Sequence, residues 1–474
     1  MPVKSIIRLA SVLAAALPVV LAAQQTQPTA PSPQPAAAGQ SPSAPKAPVV
    51  TLDDAIKLAL KVQPAVVQAG ANVDIAHANQ RQALGNWLPS VTANSNLTRS
   101  SLGRVNSSTG QLVNNPNAYF GSVGVTASLT LFDGLQRVFT GRQMNASAAS
   151  ADAALVNQKF QVTLLTKQAF FNALAAVDLE RVANTAVQRS QEQLKISREK
   201  LLAGTAVRSD TLQASVTMGQ AQLQLLQAQA TRETQEANLA HLIGFNGVVA
   251  PVGDSTTVAV TDVDTAAVRA EALKSSPVIA SATAQLRAAE ATVNANRTVY
   301  LPTVTASYST QRSGSASQVW GYSVPSGVGS DTVSKAGALN IPGLSPTWNF
   351  SLSLSWPLFN GFKREATLWS ALANRDAFGA SAADASRSVN AQVTQYIAAL
   401  EAARTGISIA RASRAAAEEG LRVQRERYRL GAATIVDVLT AQQSLDQAES
   451  DAVTQRVAYQ VARAQLEALV GRAL

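Results

Sequence analysis

Four stretches of the chain alternate between apolar and polar residues with a period of two. The first pair lies at about 90–101 and 121–132, and the second pair lies at about 303–311 and 348–359. Alternation over about ten residues, with aromatic residues at the ends, is typical of strands in a membrane β-barrel, which face lipid on one side and water on the other. A soluble sandwich whose apolar faces meet would show the same alternation.

A long stretch without proline follows the second strand of each pair. These stretches predict long helices at 134–203 and 361–430, followed by return helices at 207–244 and 434–471. At about 1.5 Å per residue, each long helix would extend about 100 Å, far more than the thickness of a bilayer. Apolar residues on the return helices recur at mixed spacings of three and four, which favours coiled-coil packing. These residues are Leu212, Val216, Leu223, Leu226 and Ala230 in the first return helix, and Ala448, Ala452, Tyr459, Ala462, Leu466 and Leu469 in the second.

Strands and helices occur twice in the same order, which predicts a first structural repeat at 49–250 and a second at 251–474. The matching pairs Phe132 and Phe359, Gly204 and Gly431, and Asp210 and Asp437 are each 227 positions apart. Repeats that keep such a length through a helix indicate a preserved physical dimension. The loops between paired strands, at about 102–120 and 315–346, are rich in serine, glycine and asparagine, and we expect them to be exposed.

The first 23 residues predict a secretory signal peptide. Lys4 and Arg8 form its basic end, and the apolar stretch from Leu9 to Leu21 is too short to span a bilayer. Residues 24–48 are rich in proline, alanine and serine and predict a disordered linker. No other stretch reaches 18 apolar residues, so we predict no transmembrane helix. The exported chain would stay soluble or enter a membrane as strands.

Composition argues against several classes of function. With no cysteine, neither a disulfide nor a thiolate metal site can form, and the two histidines lie far apart in the sequence. We find no nucleophile paired with a base, no metal-ligand cluster and no nucleotide-binding loop, so we predict neither an enzyme nor a cofactor. The net charge of +9 comes with no basic run interleaved with aromatic residues, which argues against nucleic-acid binding.

The number of strands predicts an oligomer. The smallest membrane barrels have about eight strands, and open strand edges do not occur in lipid. Four strands per chain therefore require a barrel shared among chains, with eight strands for two chains or twelve for three.

Several duplicated motifs carry a resemblance to a known family. Leu88-Pro89 and Leu301-Pro302 precede the first and third strands, Phe-x-Gly corners begin at Phe132 and Phe359, and Gly-x5-Asp tips end at Asp210 and Asp437. In their order and duplication these motifs resemble the TolC-like outer membrane efflux family, over essentially all of residues 50–471.

The resemblance implies an α+β membrane protein that forms a homotrimer. A twelve-stranded barrel in outer-membrane lipid, with four strands per chain, would continue as a long α-helical barrel into the periplasm. The implied partners are a periplasmic adaptor, which is a membrane fusion protein, and an inner-membrane pump or ABC transporter. The implied function is export to the exterior, by tripartite efflux or type I secretion. From the residues alone, a periplasmic coiled-coil adaptor and an adhesin-like coiled-coil protein stay open as alternatives, and the exported substrate cannot be identified.

The resemblance also implies where the functional residues lie. Asp437 matches an aspartate whose three copies ring the periplasmic entrance, and Thr440 stands where the family has a second aspartate. Tyr428 and Asp210 match partners in the links that keep the entrance closed. Ala433 replaces an arginine of those links, which puts the ionic latch in doubt. Each aspartate could instead be an ordinary acid at a helix N-terminus. Of the helix tips, we expect Gly204, Thr205, Ala206, Gly431, Ala432 and Ala433 to contact the adaptor.

Overall fold

The computed structural model describes residues 48–105, 112–253, 264–317 and 345–472. The predicted signal peptide at 1–23 and the linker at 24–48, except for Pro48, lie outside the described residues. Most of the predicted loop at 315–346 lies outside them as well.

Eight α-helices make up most of the described residues. In chain order they are α1 (Leu52–Val62), α2 (Pro64–Gly85), α3 (Gln136–Leu202), α4 (Arg208–Ile243), α5 (Thr265–Ser275), α6 (Pro277–Arg297), α7 (Lys363–Arg429) and α8 (Ile435–Val470). A short 3-10 helix, Thr298–Tyr300, follows α6. No helix among the described residues combines the length and the apolar character needed to cross a membrane.

The long helices and the return helices match in length. Both α3 and α7 contain 67 residues, so each extends about 100 Å at 1.5 Å per residue. Both α4 and α8 contain 36 residues. The first residues of α7 and α8 lie 227 positions after those of α3 and α4. The two helical hairpins α3/α4 and α7/α8 therefore share one set of dimensions.

Four of the six described strands form one antiparallel sheet in the order β2-β3-β5-β6. In chain order the strands are β1 (Val49–Val50), β2 (Ser90–Val105), β3 (Leu112–Phe132), β4 (Ala250–Pro251), β5 (Thr303–Ser317) and β6 (Ser345–Ser355). The register pairs Ala93 with Val125, Ala127 with Tyr308, and Ala306 with Leu352. A separate parallel pair joins β1 to β4.

The loop predicted at 102–120 is wrong. Strand β2 continues to Val105, β3 begins at Leu112, and these two residues pair with each other. The sequence misses this extension because a ladder of hydrogen bonds forms between main-chain groups and does not require alternating apolar and polar side chains. At the other end of the sheet, β6 stops at Ser355 rather than near 359, just before Pro357, which has no N–H to donate.

Small clusters of buried side chains between helices hold the fold together. One cluster joins Val268 of α5 to Val389 and Val393 of α7 and to Tyr459 and Leu466 of α8, all at most 5% exposed. A second joins α1, α3 and α4 around Phe170, Leu239 and Ile243. Many of the other buried positions are alanine, which lets helix backbones approach closely.

The apolar stripe predicted as a coiled-coil seam on the first return helix is not buried within the chain. Leu212, Val216, Leu223 and Leu226 are each between 55% and 61% exposed. Instead, α4 packs on α3 through Ala214 and Ala221, which lie on the opposite side of the helix at 100° per residue. Small residues occupy this face because they let the two long antiparallel helices of the hairpin lie close together. On α8, by contrast, Ala448, Tyr459, Ala462, Leu466 and Leu469 are buried as predicted, and Ala452 is half-buried.

Each long helix begins at a corner with two consecutive left-handed residues. The first corner has Gly134 at φ +64° and Leu135 at φ +68°, and the second has Gly361 at φ +65° and Phe362 at φ +62°. A left-handed leucine or phenylalanine is unfavourable, so the surrounding structure must hold it. In the first corner, Asp133 does part of this by accepting hydrogen bonds from the backbone N–H and the Nε of Arg137, both at 2.9 Å.

Candidate functional site at the hairpin tips

Both hairpins reverse direction through the same glycine-based helix ending. At the end of α3, Gly204 has φ +71°, and the N–H of Thr205 donates to the carbonyl of Lys200 at 2.9 Å. At the end of α7, Gly431 has φ +75°, and the N–H of Ala432 donates to the carbonyl of Arg427 at 2.8 Å. This hydrogen-bond pattern satisfies the last carbonyls of a helix and favours glycine at the left-handed position.

The predicted tip residues lie on the surface of these turns. A Cβ built on Gly204 or Gly431 would meet no atom within 4 Å. Thr205 and Ala432 are exposed, and Ala206 and Ala433 are half-buried. Each tip is therefore a small, smooth surface that another protein segment could approach.

The return helices start differently in the two hairpins. In α8, Thr434 and Asp437 form a capping box in which the Thr434 N–H and hydroxyl both donate to Asp437 Oδ2 at 2.8 Å. In α4 the corresponding N-cap residue is Val207, which has no side-chain hydroxyl, so Asp210 cannot form a capping box with it. A capping box satisfies free N–H groups at a helix start, so the second tip is the more firmly fixed of the two.

Asp437 is exposed, and its pKa lies below the ordinary value. The backbone hydrogen bond from Thr434 is the main cause, followed by the hydrogen bond from the Thr434 hydroxyl. The carboxylate is therefore charged throughout the neutral range. Thr440 lies one turn further along α8 and is also exposed, with its carbonyl accepting a hydrogen bond from Ser444.

Tyr428 is buried at the end of α7, where it is only 6% exposed. A residue of the neighbouring hairpin, Lys200, contacts it. The Nζ of Lys200 lies 4.0 Å from the centre of the Tyr428 ring and donates a hydrogen bond to the Tyr428 carbonyl. A cation over an aromatic ring and at a helix C-terminus is favourable on both counts. Lys200 thus ties the end of α3 to the end of α7.

The structure places Asp210 near Tyr428 without a hydrogen bond between them in the described residues. Burial raises the pKa of the Tyr428 hydroxyl, and the negative charge of Asp210 adds to the increase. Sequence reasoning missed Lys200, whose contacts with Tyr428 bridge 228 positions of the chain. The signal that could have found it is a lone lysine in the last turn of α3, opposite the aromatic residue at the end of α7.

Beyond the tips, a polar seam separates α3 from α7 and α8. Its α3 side consists of Ser190, Gln193 and Ser197, each at most 2% exposed, at the heptad-like spacing of an interface. Across the seam, Gln442 Nε2 donates to Ser190 Oγ at 2.7 Å. Several of its buried polar atoms, including Gln193 Nε2 and Gln424 Oε1, have no hydrogen-bond partner in the part of the chain that is described. A partly satisfied polar interface holds two surfaces more weakly than an apolar one.

One guanidinium bridges the seam to two carboxylates. Arg189 Nη2 lies 3.0 Å from Asp446 Oδ1 and 2.5 Å from Glu449 Oε2. Burial raises the pKa of Asp446 to about 6, with the nearby charge of Glu449 adding to the increase and Arg189 and Arg425 opposing it. Burial also lowers the pKa of Arg425 on α7. We call Arg189, Asp446 and Glu449 the seam triad.

The chain matches the outer membrane efflux protein family over residues 55–245 and 268–472, which is more than four fifths of its length. The chain belongs to this family. Members of the outer membrane efflux family are transport channels and not enzymes, so the family assignment confirms both the resemblance and the prediction that the chain is not an enzyme. Membership also implies a location at the outer membrane. No protein among curated sequences matches this one.

Solved outer membrane channels share the fold at low sequence identity. The Campylobacter jejuni CmeC outer membrane channel is similar with a TM-score of 0.71 and 19% identity, over 89% of this chain and 85% of CmeC. VceC from Vibrio cholerae gives a TM-score of 0.70 and 18% identity, over 89% of this chain and 96% of VceC. The open state of the Neisseria gonorrhoeae MtrE channel gives 0.68 and 20%, over 89% of both chains. At such identities the likeness describes the fold alone.

Proposed function

We propose that three copies of this chain form an outer membrane channel that extends into the periplasm as a helical tube. Three four-stranded sheets would close a twelve-stranded barrel, and the hairpins α3/α4 and α7/α8 would surround the path of export. A periplasmic adaptor and an inner-membrane transporter would deliver the substrate, as in tripartite efflux or type I secretion. The matched dimensions of the hairpins support a duplication of one ancestral unit.

The main support for this proposal is the four-stranded sheet, which has free edges and an exposed apolar face. In the described residues, β2 and β6 each pair with one strand only, so both edges of the sheet are free. On β6, the side chains of Trp348, Phe350, Leu352 and Leu354 are between 61% and 74% exposed. Free edges and an exposed apolar face are both unfavourable in water, and a closed barrel in lipid removes both costs.

The exposed stripe on α4 supports the same assembly. Leu212, Val216, Leu223 and Leu226 lie on one face of the helix, and each is more than half exposed in the part of the chain that the structure describes. A second copy of the chain is the occupant that fits, because a closed ring of hairpins needs a contact at this outer side of each protomer. An adaptor or an adhesin-like fibre would explain the stripe but not the sheet with free edges.

Sedimentation of the detergent-solubilised protein, followed by conductance in planar bilayers, tests the proposal. We expect one species with the mass of three chains and stepwise conductance on insertion. Monodisperse single chains with intact β-structure would overturn the trimer, and trimers without conductance would overturn the channel. Two chains per particle would indicate an eight-stranded barrel instead.

The hairpin tips are where we propose that the adaptor docks. Replacing Gly431 with tryptophan should reduce co-purification of the adaptor at least tenfold, or by about 1.4 kcal/mol, because a bulky ring would block close approach. Gly431→Asn is the matched control, since asparagine tolerates the left-handed conformation and remains small. Both variants should still form trimers. Equal recovery of the adaptor with the two variants would contradict docking at this tip.

At the periplasmic entrance, we propose that Asp437 from three chains forms the acidic constriction, with Thr440 above it and Tyr428 and Asp210 holding it shut. Asp437→Asn should weaken cation selectivity and relieve block by multivalent cations in bilayer recordings, because a ring of carboxylates attracts cations. Thr434→Ala is the control. It removes the cap, at a cost of about 1 kcal/mol, but keeps the carboxylate. If Asp437→Asn leaves selectivity and block unchanged, the constriction lies elsewhere.

Ala433 cannot supply the arginine that the family resemblance assigns to the closing links. Lys200 supplies a cation at the same tip, with its Nζ 4.0 Å from the centre of the Tyr428 ring. We propose that Lys200 takes over the closing role by holding α3 to α7 within one chain.

A further inference from the structure

Four arginines converge on a cleft above the hairpin tips. Arg181 of α3, Arg411 and Arg414 of α7, and Arg456 of α8 line a cavity of about 410 Å³ between the three helices. The cavity is also lined by the apolar residues Val182, Ile407, Ala452 and Val453. We call this the arginine cleft. It lies apart from the tip residues and from the Asp437 turn.

The carboxylates at the edge of the cleft are already engaged. Asp178, which is buried, accepts a hydrogen bond from Arg181 Nη2 at 2.8 Å and lies 3.5 Å from Arg456 Nη2. Glu449 lines the cleft but accepts hydrogen bonds from both Nη atoms of Arg189, at 3.2 Å and 2.5 Å. Neither carboxylate is left to neutralise a further cation.

Arg411 and Arg414 have no such partner. Among the described residues, neither side chain makes a hydrogen bond or an ion pair, and both are exposed. Three residues apart on one helix, they project to the same side of α7, so their charges add. Two unpaired guanidiniums face the other two arginines across the cleft. Like charges so arranged repel one another unless an anion lies between them.

We propose that the arginine cleft binds a small organic anion, one that carries a carboxylate, phosphate or sulfonate group on an apolar body. Guanidinium groups bind planar or tetrahedral oxyanions with paired hydrogen bonds, which accounts for the charged group. The apolar lining residues of the cleft would contact the apolar body of such an anion. A volume of about 410 Å³ lies within the range of small-molecule sites, roughly 300–1,000 Å³. The assignment does not depend on the gate or on the adaptor.

Isothermal titration of the purified full-length protein in a neutral detergent tests the proposal, with naphthalene-2-sulfonate as the probe. We expect saturable binding of one probe per chain. The affinity should fall at least tenfold in the double variant Arg411→Gln/Arg414→Gln, and should also fall when the salt is raised from about 0.1 M to about 0.5 M. The matched control is Arg387→Gln/Arg422→Gln, which removes two exposed arginines of α7 outside the cleft.

Three outcomes would overturn the assignment. Equal binding by both double variants would place the probe elsewhere. Equal affinity for neutral 2-naphthol would show that charge is not recognised, and equal affinity for inorganic sulfate would show that the apolar body is not. Because the measurement needs no transport and no partner, its failure would leave the proposed channel function untouched.

Discussion

Replacing Arg189 with alanine is expected to destabilise the packed hairpins by about 3–5 kcal/mol. The side chain is 13% exposed and is the cation between two carboxylates, Asp446 and Glu449, that are themselves 25% and 15% exposed. Without it, two negative charges stay close together in a poorly solvated seam. Unfolding in urea, followed by circular dichroism at neutral pH, measures the effect.

The control for this variant is Arg422→Ala, which lies on α7 in an exposed pair with Glu419. Solvent screens the charges of this exposed pair, so this change should be nearly silent. An Arg189→Ala protein as stable as Arg422→Ala would show that the seam triad does not hold the hairpins together.

The stability of the packed hairpins should change with pH, because Asp446 of the seam triad titrates. Because the pKa of Asp446 is raised from 3.8 to about 6, the packed state binds a proton more tightly than a state in which the carboxylate is in water. The charged carboxylate therefore destabilises the seam above its raised pKa, and this cost is progressively removed as the pH falls from about 6 toward 4. For this group alone, the packed state should gain about 1.4 kcal/mol between about pH 7.5 and about pH 5.

Asp446→Asn isolates that contribution, since asparagine keeps the size of the side chain and does not titrate. The wild-type protein should show the gain on acidification, and the Asn variant should lack it. In Arg189→Ala the loss of the cation should raise the Asp446 pKa further, so that acid restores part of the lost stability. A stability profile that is the same for wild type and Asp446→Asn would rule out this titration.

Replacing Gly134 with alanine is the second change with a large expected effect. A Cβ at this position would lie 2.4 Å from Leu301 Cβ and 3.3 Å from the carbonyl oxygen of Thr298. The left-handed backbone costs alanine about 1–2 kcal/mol, and forced overpacking adds about 1–3 kcal/mol. We expect destabilisation of about 2–5 kcal/mol, seen as a lower yield of folded protein and a lower unfolding temperature.

The chain supplies its own control for Gly134→Ala. Gly361 occupies the matching corner at φ +65°, but a Cβ there would meet no atom within 4 Å. Gly361→Ala should therefore cost only the backbone contribution of about 1–2 kcal/mol. If the two alanine variants have the same unfolding temperature, the contact with Leu301 does not contribute to the destabilisation.

The elements of this fold are readable from the sequence because their signals are local. Absence of proline and a glycine at each end predicted helices at 134–203 and 361–430, and the structure has α3 and α7 starting two residues later and ending one residue earlier. Alternation found all four strands of the main sheet. It missed the strand residues beyond about position 101, where apolar and polar residues no longer alternate regularly.

Which side of a helix is buried could not be read in the same way. The stripe around Leu223 looks like an interface in the sequence, yet within the chain α4 buries the alanines on its other side. The contacts of Arg189 and Lys200 escaped notice for a related reason. Each joins residues more than 225 positions apart, and no local pattern reports which polar groups two distant helices bring together.

The equal lengths of α3 and α7 constrain how this chain can change through insertions and deletions. Removing one residue from α3 alone would shorten that helix by about 1.5 Å and rotate everything beyond the cut by about 100°. Arg189 and Lys200 would then turn away from their partners on the other hairpin. Removing about seven residues from every long helix and its return helix would instead restore nearly the same faces. Length variation in this molecule should therefore occur in matched steps, shared by both hairpins.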